Sequence, residues 1–281
     1  MPPVWTFTRL TLREAWRSKL LALAFGLTLL YIGLVAWGVS KLVEHSRNPL
    51  NTLASSAALE VLAFFLGSFM VTLLAVFVAG HSTRQEAESG LLQAILTKPI
   101  RRFDVVAGRW LGSAMLLAAY VALFSAGVVA AVGLQVGYYP PSATLAGALL
   151  LLEGLVVLSL RILFGSFLGT LASGIAPLMV YGLGWMGGMV EQAGSVLHIA
   201  SMATGGVITS LVVPTDVLWR GASYYLLPEV ARLASEAGAD LGNGNPVVSL
   251  TPIAGPMVLW AAAYVVAMFA IGTRIFSRRD V

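Results

Sequence analysis

Apolar residues fall in long, almost unbroken runs along this chain, and the polar residues are confined to the stretches between them. The runs lie at roughly 20–42, 58–80, 106–136, 143–168, 175–191 and 252–273. About 20 apolar residues in a helix, at 1.5 Å each, cross a hydrocarbon core of about 30 Å. The pattern therefore predicts an all-α integral membrane protein with six transmembrane helices, in one domain over residues 1–281. The first run follows a basic segment, as a signal peptide would. It exceeds the apolar core of a signal peptide, about 7–15 residues, and no small-residue cleavage motif follows it, so it reads as a retained span. Between the third and fourth runs, Gly137-Tyr138-Tyr139-Pro140-Pro141 is a turn: the prolines stop a helix and the tyrosines suit the headgroup region.

Composition agrees. The chain is 58% hydrophobic and only 11% charged, against about 25% charged residues in a soluble domain. What lies outside the runs is too short and scattered for a soluble catalytic domain. There is no cysteine, which excludes disulfides, thiolate metal sites and a thiol nucleophile. Arginine far outnumbers lysine, a pattern of GC-rich prokaryotes, and the expected location is a prokaryotic cell membrane.

Charge then sets an orientation. Arg9, Arg13, Arg17, Lys19, Arg84, Lys98, Arg101, Arg102, Arg109, Arg274, Arg278 and Arg279 fall on one side, and only Lys41, Arg47, Arg220 and Arg232 on the other. By the positive-inside rule both termini and the segment 81–105 are expected in the cytoplasm. The net charge of +4 is thus a topology signal rather than a nucleic-acid footprint.

Residues 1–19 are too polar to span and read as an interfacial helix. At about 100° per residue, Trp5, Leu12 and Trp16 share one face, and Arg9, Arg13 and Arg17 form the adjoining stripe. On the opposite side, the outer segment 192–251 is mixed. Val196 to Val213 is apolar, broken by Gly205 and Gly206 and ended by Pro214, which fits a re-entrant hairpin between spans five and six. Asp216 to Ala237 reads as a more amphipathic helix.

The cytoplasmic segment 81–105 is the most informative. Read as a helix from about Gln85 to Thr97, it has Glu86 and Glu88 in its first turn and Lys98 at its end, which suits the helix dipole, and Pro99 stops it. Leu91, Leu92, Ile95 and Leu96 make an apolar edge, suited either to the bilayer surface or to helix-in-groove docking of a soluble partner. The motifs Glu86-x-Glu88-x-Gly90-x-Leu92, Leu96-x-Lys98-Pro99-Ile100-x-Arg102 and Gly108-Arg109-x-Leu111-Gly112 resemble type-2 ABC exporter permeases. So do Tyr224-Tyr225-Leu226-Leu227-Pro228 and Phe276-x-Arg278-Arg279-Asp280, although the chain has Leu91 where that family more often has threonine. The resemblance implies a coupling helix contacting a separate ATPase subunit through Glu86, Glu88, Gly90, Leu91, Leu92, Ile95, Leu96, Lys98 and Pro99. It also implies a homodimer of this chain, with ATP and Mg held by the partner ATPase.

The chain carries no Walker A pattern, HExxH or GxSxG, and its three histidines are scattered, so no catalytic or metal site is expected. Gly182-Leu-Gly184-Trp-Met-Gly187 matches a dinucleotide fingerprint but lies in an apolar run, where Gly184 and Gly188 read as a close helix contact or flexible point. Gly165 and Gly169 have the same spacing. Glu153 and Arg161 lie within span four, about 12 Å apart along the axis, and are candidates for a substrate route. Glu60 and Glu191 are expected at span ends, in reach of water. The alternative reading is a secondary transporter or channel working without an ATPase, with span five as a broken helix.

Overall fold

The computed structural model describes residues 3–45, 49–79, 102–229, 232–233 and 248–278. Over these residues the chain is helical: α1 (Pro3–Arg17), α2 (Lys19–His45), α3 (Pro49–Val78), α4 (Arg102–Val136), α5 (Ala143–Gly165), α6 (Thr170–Val196), α7 (Ala200–Val212), α8 (Thr215–Leu226) and α9 (Gly255–Ser277). Five of these, α2, α3, α4, α5 and α9, are long and apolar enough to cross a membrane. The count becomes six if α7 and α8, bent by 98° at their junction, form one span.

The breaks follow local chemistry. Ser18 separates α1 from α2, its hydroxyl accepting the Leu20 N–H at 3.2 Å. Gly137 ends α4 at φ 71°, a left-handed conformation that glycine adopts without strain, and Pro140-Pro141 precede α5. At the α5 end, the Ser166 hydroxyl donates to the Leu163 carbonyl at 2.6 Å. Pro214 stands at the α7–α8 corner, and Pro256 sits at the first helical turn of α9, where a missing N–H does no harm.

The central element is α5, which packs against α3, α4, α6, α8 and α9. Leu150, Val156, Val157 and Leu158 are fully enclosed there. By contrast α2 buries only Leu21, Thr28, Val35 and Val39 and presents Leu23, Leu30, Leu34 and Trp37 outward. That outward face is apolar because its solvent is lipid.

Span five is ten residues longer than the predicted 175–191, and helix ends lie within about five residues of the predicted limits except at the start of the second span, where α3 begins at Pro49 rather than near 58. Hence Glu60, expected at a span end near water, is instead three turns inside α3 and wholly enclosed at 0% exposure. Span five is α6, a continuous helix of 27 residues, interrupted in sequence but not in backbone. It is long enough to cross but is not among the five helices that are also apolar enough to do so. The amphipathic helix expected from Asp216 is α8, which ends at Leu226.

Helix approach depends on glycine. A methyl at Gly187 would run into Thr209, one at Gly184 into Val213 and Thr215, and one at Gly194 into Met202 and Ala203. These seats hold α7 antiparallel along α6, so the close-contact reading of Gly184 and Gly188 is correct. Gly182 has open space around it, and Gly165 and Gly169 face no other helix, so their spacing is not a helix contact. Gly187→Ala is therefore expected to destabilise the protein by about 1–3 kcal/mol through overpacking, whereas Gly182→Ala is expected to change stability by less than about 0.5 kcal/mol. Unfolding of both variants in detergent, followed by circular dichroism, checks this contrast.

Candidate functional site

The N-terminal helix is built into the bundle. Phe7 and Thr8 of α1 are buried on α4, where Gly108 and Gly112 leave the space: a methyl on Gly108 would strike Phe7 and the Val4 carbonyl, and one on Gly112 would strike Thr11. The Thr8 hydroxyl donates to the Gly108 carbonyl at 3.1 Å. The other face carries the residues marked in sequence. Trp5, Arg9, Arg13, Trp16 and Arg17 are all exposed, Trp16 by 81%, and the Arg9 guanidinium lies over the Trp5 ring. Leu12 departs from the predicted face and is half-buried against the core. Sequence reasoning noted Gly108 and Gly112 as part of a motif but not as the seat of α1, since nothing local links positions a hundred residues apart.

Beside this joint, a groove of about 480 Å³ opens between the α1–α2 corner and α3. Thr11, Glu14 and Ser18 line it together with Leu21, Phe77 and Tyr120. Its volume falls in the range of about 300–1,000 Å³ typical of small-molecule sites.

Glu153 and Arg161 are both enclosed, at 1% and 3% exposure, on α5. The structure does not bring them to one site; each has its own surroundings. Glu153 faces the Tyr181 hydroxyl of α6 and stands within electrostatic reach of Asp216. Tyr181 in turn meets Ser68 of α3 at 3.2 Å and lies by Thr72. Arg161 lies two turns further along, near Gly165. Two residues before it, Ser159 accepts the Trp110 indole N–H at 3.1 Å, tying α5 to α4.

At the α6–α8 contact sits a part-buried ionic cluster that the sequence did not announce. Arg220 donates to Glu191 at 2.8 and 3.2 Å and pairs with Asp216 at 2.8 Å. Asp216 fits because Gly188 leaves it a seat. The i, i+4 spacing of Asp216 and Arg220 was readable, but Glu191 joins only through the fold. Glu191 thus pairs with an arginine while staying part-exposed near the end of α6, as expected of a span end.

Among the described residues, no three His, Asp or Glu side chains gather where a metal could be held. The coupling-helix residues Glu86, Glu88, Gly90, Leu91, Leu92, Ile95, Leu96, Lys98 and Pro99 lie outside the described residues. Of the segment 81–105, Arg102, Phe103, Asp104 and Val105 belong to described structure, as the first turn of α4.

No protein-family model matches the chain. It is similar to the probable ABC transporter permease protein NosY of Pseudomonas aeruginosa, 31% identical over 119 residues, which is 42% of this chain and 41% of that protein. The chain is a multi-pass membrane protein, distantly and partially homologous to an ABC transporter permease. The match spans less than half the length of that relative.

Removing the cation from the ionic cluster tests its structural weight. Arg220→Met leaves Asp216 and Glu191 facing each other without a counter-charge, and is expected to lose about 3–5 kcal/mol. Adding Asp216→Asn should restore part of that loss, as read by unfolding of both variants in detergent.

Proposed function

We propose that this chain is the transmembrane subunit of an ATP-binding-cassette exporter of the type-2 class, driven by an ATPase on a separate chain. The observation that carries this reading is the partial homology to an ABC transporter permease in a chain built almost wholly of apolar helices. The motifs at 86–102 and 108–112 support the type-2 class, and in this reading ATP and Mg belong to the partner, the chain having no Walker A pattern.

In this reading α6 is the fifth span and the bent α7–α8 pair is the re-entrant hairpin beside it. Twelve basic residues on one side then put both termini in the cytoplasm of a prokaryotic cell. With its tryptophans and arginines outward, α1 is the interfacial helix, held to α4 at Gly108 and Gly112. Segment 86–98 docks into the ATPase by its leucine edge, and closure of the ATPase pair displaces α4 with α1 attached. Two copies of the chain frame the substrate path. Glu153 and Arg161 lie on or behind that path, and the substrate is left unspecified.

Copurification with an ATPase encoded beside the gene tests the class directly. Leu92→Glu together with Leu96→Glu is expected to abolish both association and ATP-driven transport while leaving the chain folded in the membrane. Retained association after both changes would refute the proposed contact, and ion-driven flux from the chain alone would favour a secondary transporter.

A further inference from the structure

Transport by rigid-body motion makes no use of the polar side chains enclosed along α3. Ser56, Glu60, Ser68 and Thr72 stand four residues apart, with Phe64 at the intervening step, and none is more than 1% exposed. Such an i+4 row winds round its helix; from Ser56 to Thr72 it rises about 24 Å, most of a hydrocarbon core. The Ser56 hydroxyl and both carboxyl oxygens of Glu60 have no hydrogen-bond partner. At its far end the row meets Tyr181 of α6 and, through it, Glu153 of α5. Serine, threonine and tyrosine hydroxyls both give and accept protons, and carboxyls store them.

Two observations decide what this row can carry. An ionised carboxylate held in hydrocarbon without a counter-charge costs several kcal/mol, so each acid needs one compensating positive charge. Among the described residues, the titratable group that Glu60 acts on is Tyr138 at the α4–α5 turn. Around Glu153 they are Tyr181 and Asp216, and the arginine beside Asp216 is already engaged with Asp216 and Glu191. Neither acid has a cation of its own among these groups. Packing next to Glu153 is tight, with Val71 and Leu117 closing on Gly154, and Asp216 fills the seat at Gly188. A proton needs no volume.

We propose that this row is a proton path through the bundle. Glu60 is the station nearer the α4–α5 turn, Glu153 is the station at the α5–α6 contact, and Phe64, packed on Phe124 with ring centroids 5.5 Å apart, closes the path between them. Ser56 and Glu60 make no hydrogen bond at rest, so transfer needs side-chain rotation or entering water to bridge the steps, each group accepting one proton as it passes one onward. One proton enters for each that leaves, and no group is oxidised or reduced. The inference does not depend on an ATPase.

The test uses the full chain in lipid vesicles containing a pH-sensitive dye, under a potassium diffusion potential set by valinomycin. Phe64→Ala is expected to admit protons well above the wild-type rate, and adding Glu60→Gln or Glu153→Gln should return the flux to wild type. Flux in Phe64→Ala that survives both glutamine changes, or flux carried equally by sodium, would overturn the path. A second measurement needs no cavity variant. The infrared carbonyl stretch of protonated carboxyls should be present at neutral pH in the wild type and diminish in Glu60→Gln and in Glu153→Gln. Absence of that band in the wild type would also overturn the proposal, whatever an ATPase assay finds.

Discussion

In hydrocarbon the hydrophobic effect does not press one helix against another, because lipid tails are as apolar as leucine. Cohesion has to come from close approach, and here that means glycine seats. Phe124 occupies the seat at Gly67, Leu117 and Val71 that at Gly154, and Ile32 that at Gly127. The same device holds α7 along α6 and α1 along α4. Fill the seats and the helices must separate; each of the structure's polar arrangements depends on their staying close.

The polar clusters illustrate this dependence. Asp216 can stand inside the bundle only because Gly188 has no side chain, and once there it requires Arg220, which in turn draws in Glu191. Thr8 reaches the Gly108 carbonyl only because the backbones of α1 and α4 lie so near. In a membrane interior these bonds are selected less for their net strength than to avoid leaving polar groups unmatched.

Much of the helix layout was legible in the sequence, because a run of about 20 apolar residues has few other stable fates. The exposed face of Trp5, Arg9, Arg13, Trp16 and Arg17 was legible too, from simple helical spacing. Other features were not. Glu60 was misplaced because the apolar run was taken to begin near 58, whereas Pro49 opens a helix whose first turns are polar yet helical. The α3 row escaped notice because its members lie four apart among apolar neighbours and form no local cluster. The seat of α1 and the partner of Arg220 are long-range facts. The character of the segment 81–105 is carried by its sequence motifs, and its last residues form the first turn of α4.

Helix α4 has 35 residues, a rod of about 52 Å at 1.5 Å per residue, against a hydrocarbon slab of about 30 Å. The excess must project, and Gly108 and Gly112 lie within its first three turns. In the proposed transporter the clamp formed there with α1 would serve as a fulcrum. Force applied to the projecting arm at Arg102 would then become tilt of the long arm beyond, across which α4 packs on α2, α3 and α5. Stiffening or loosening that pivot would change how far the bundle swings for a given push, with no alteration to the arm or to the interior.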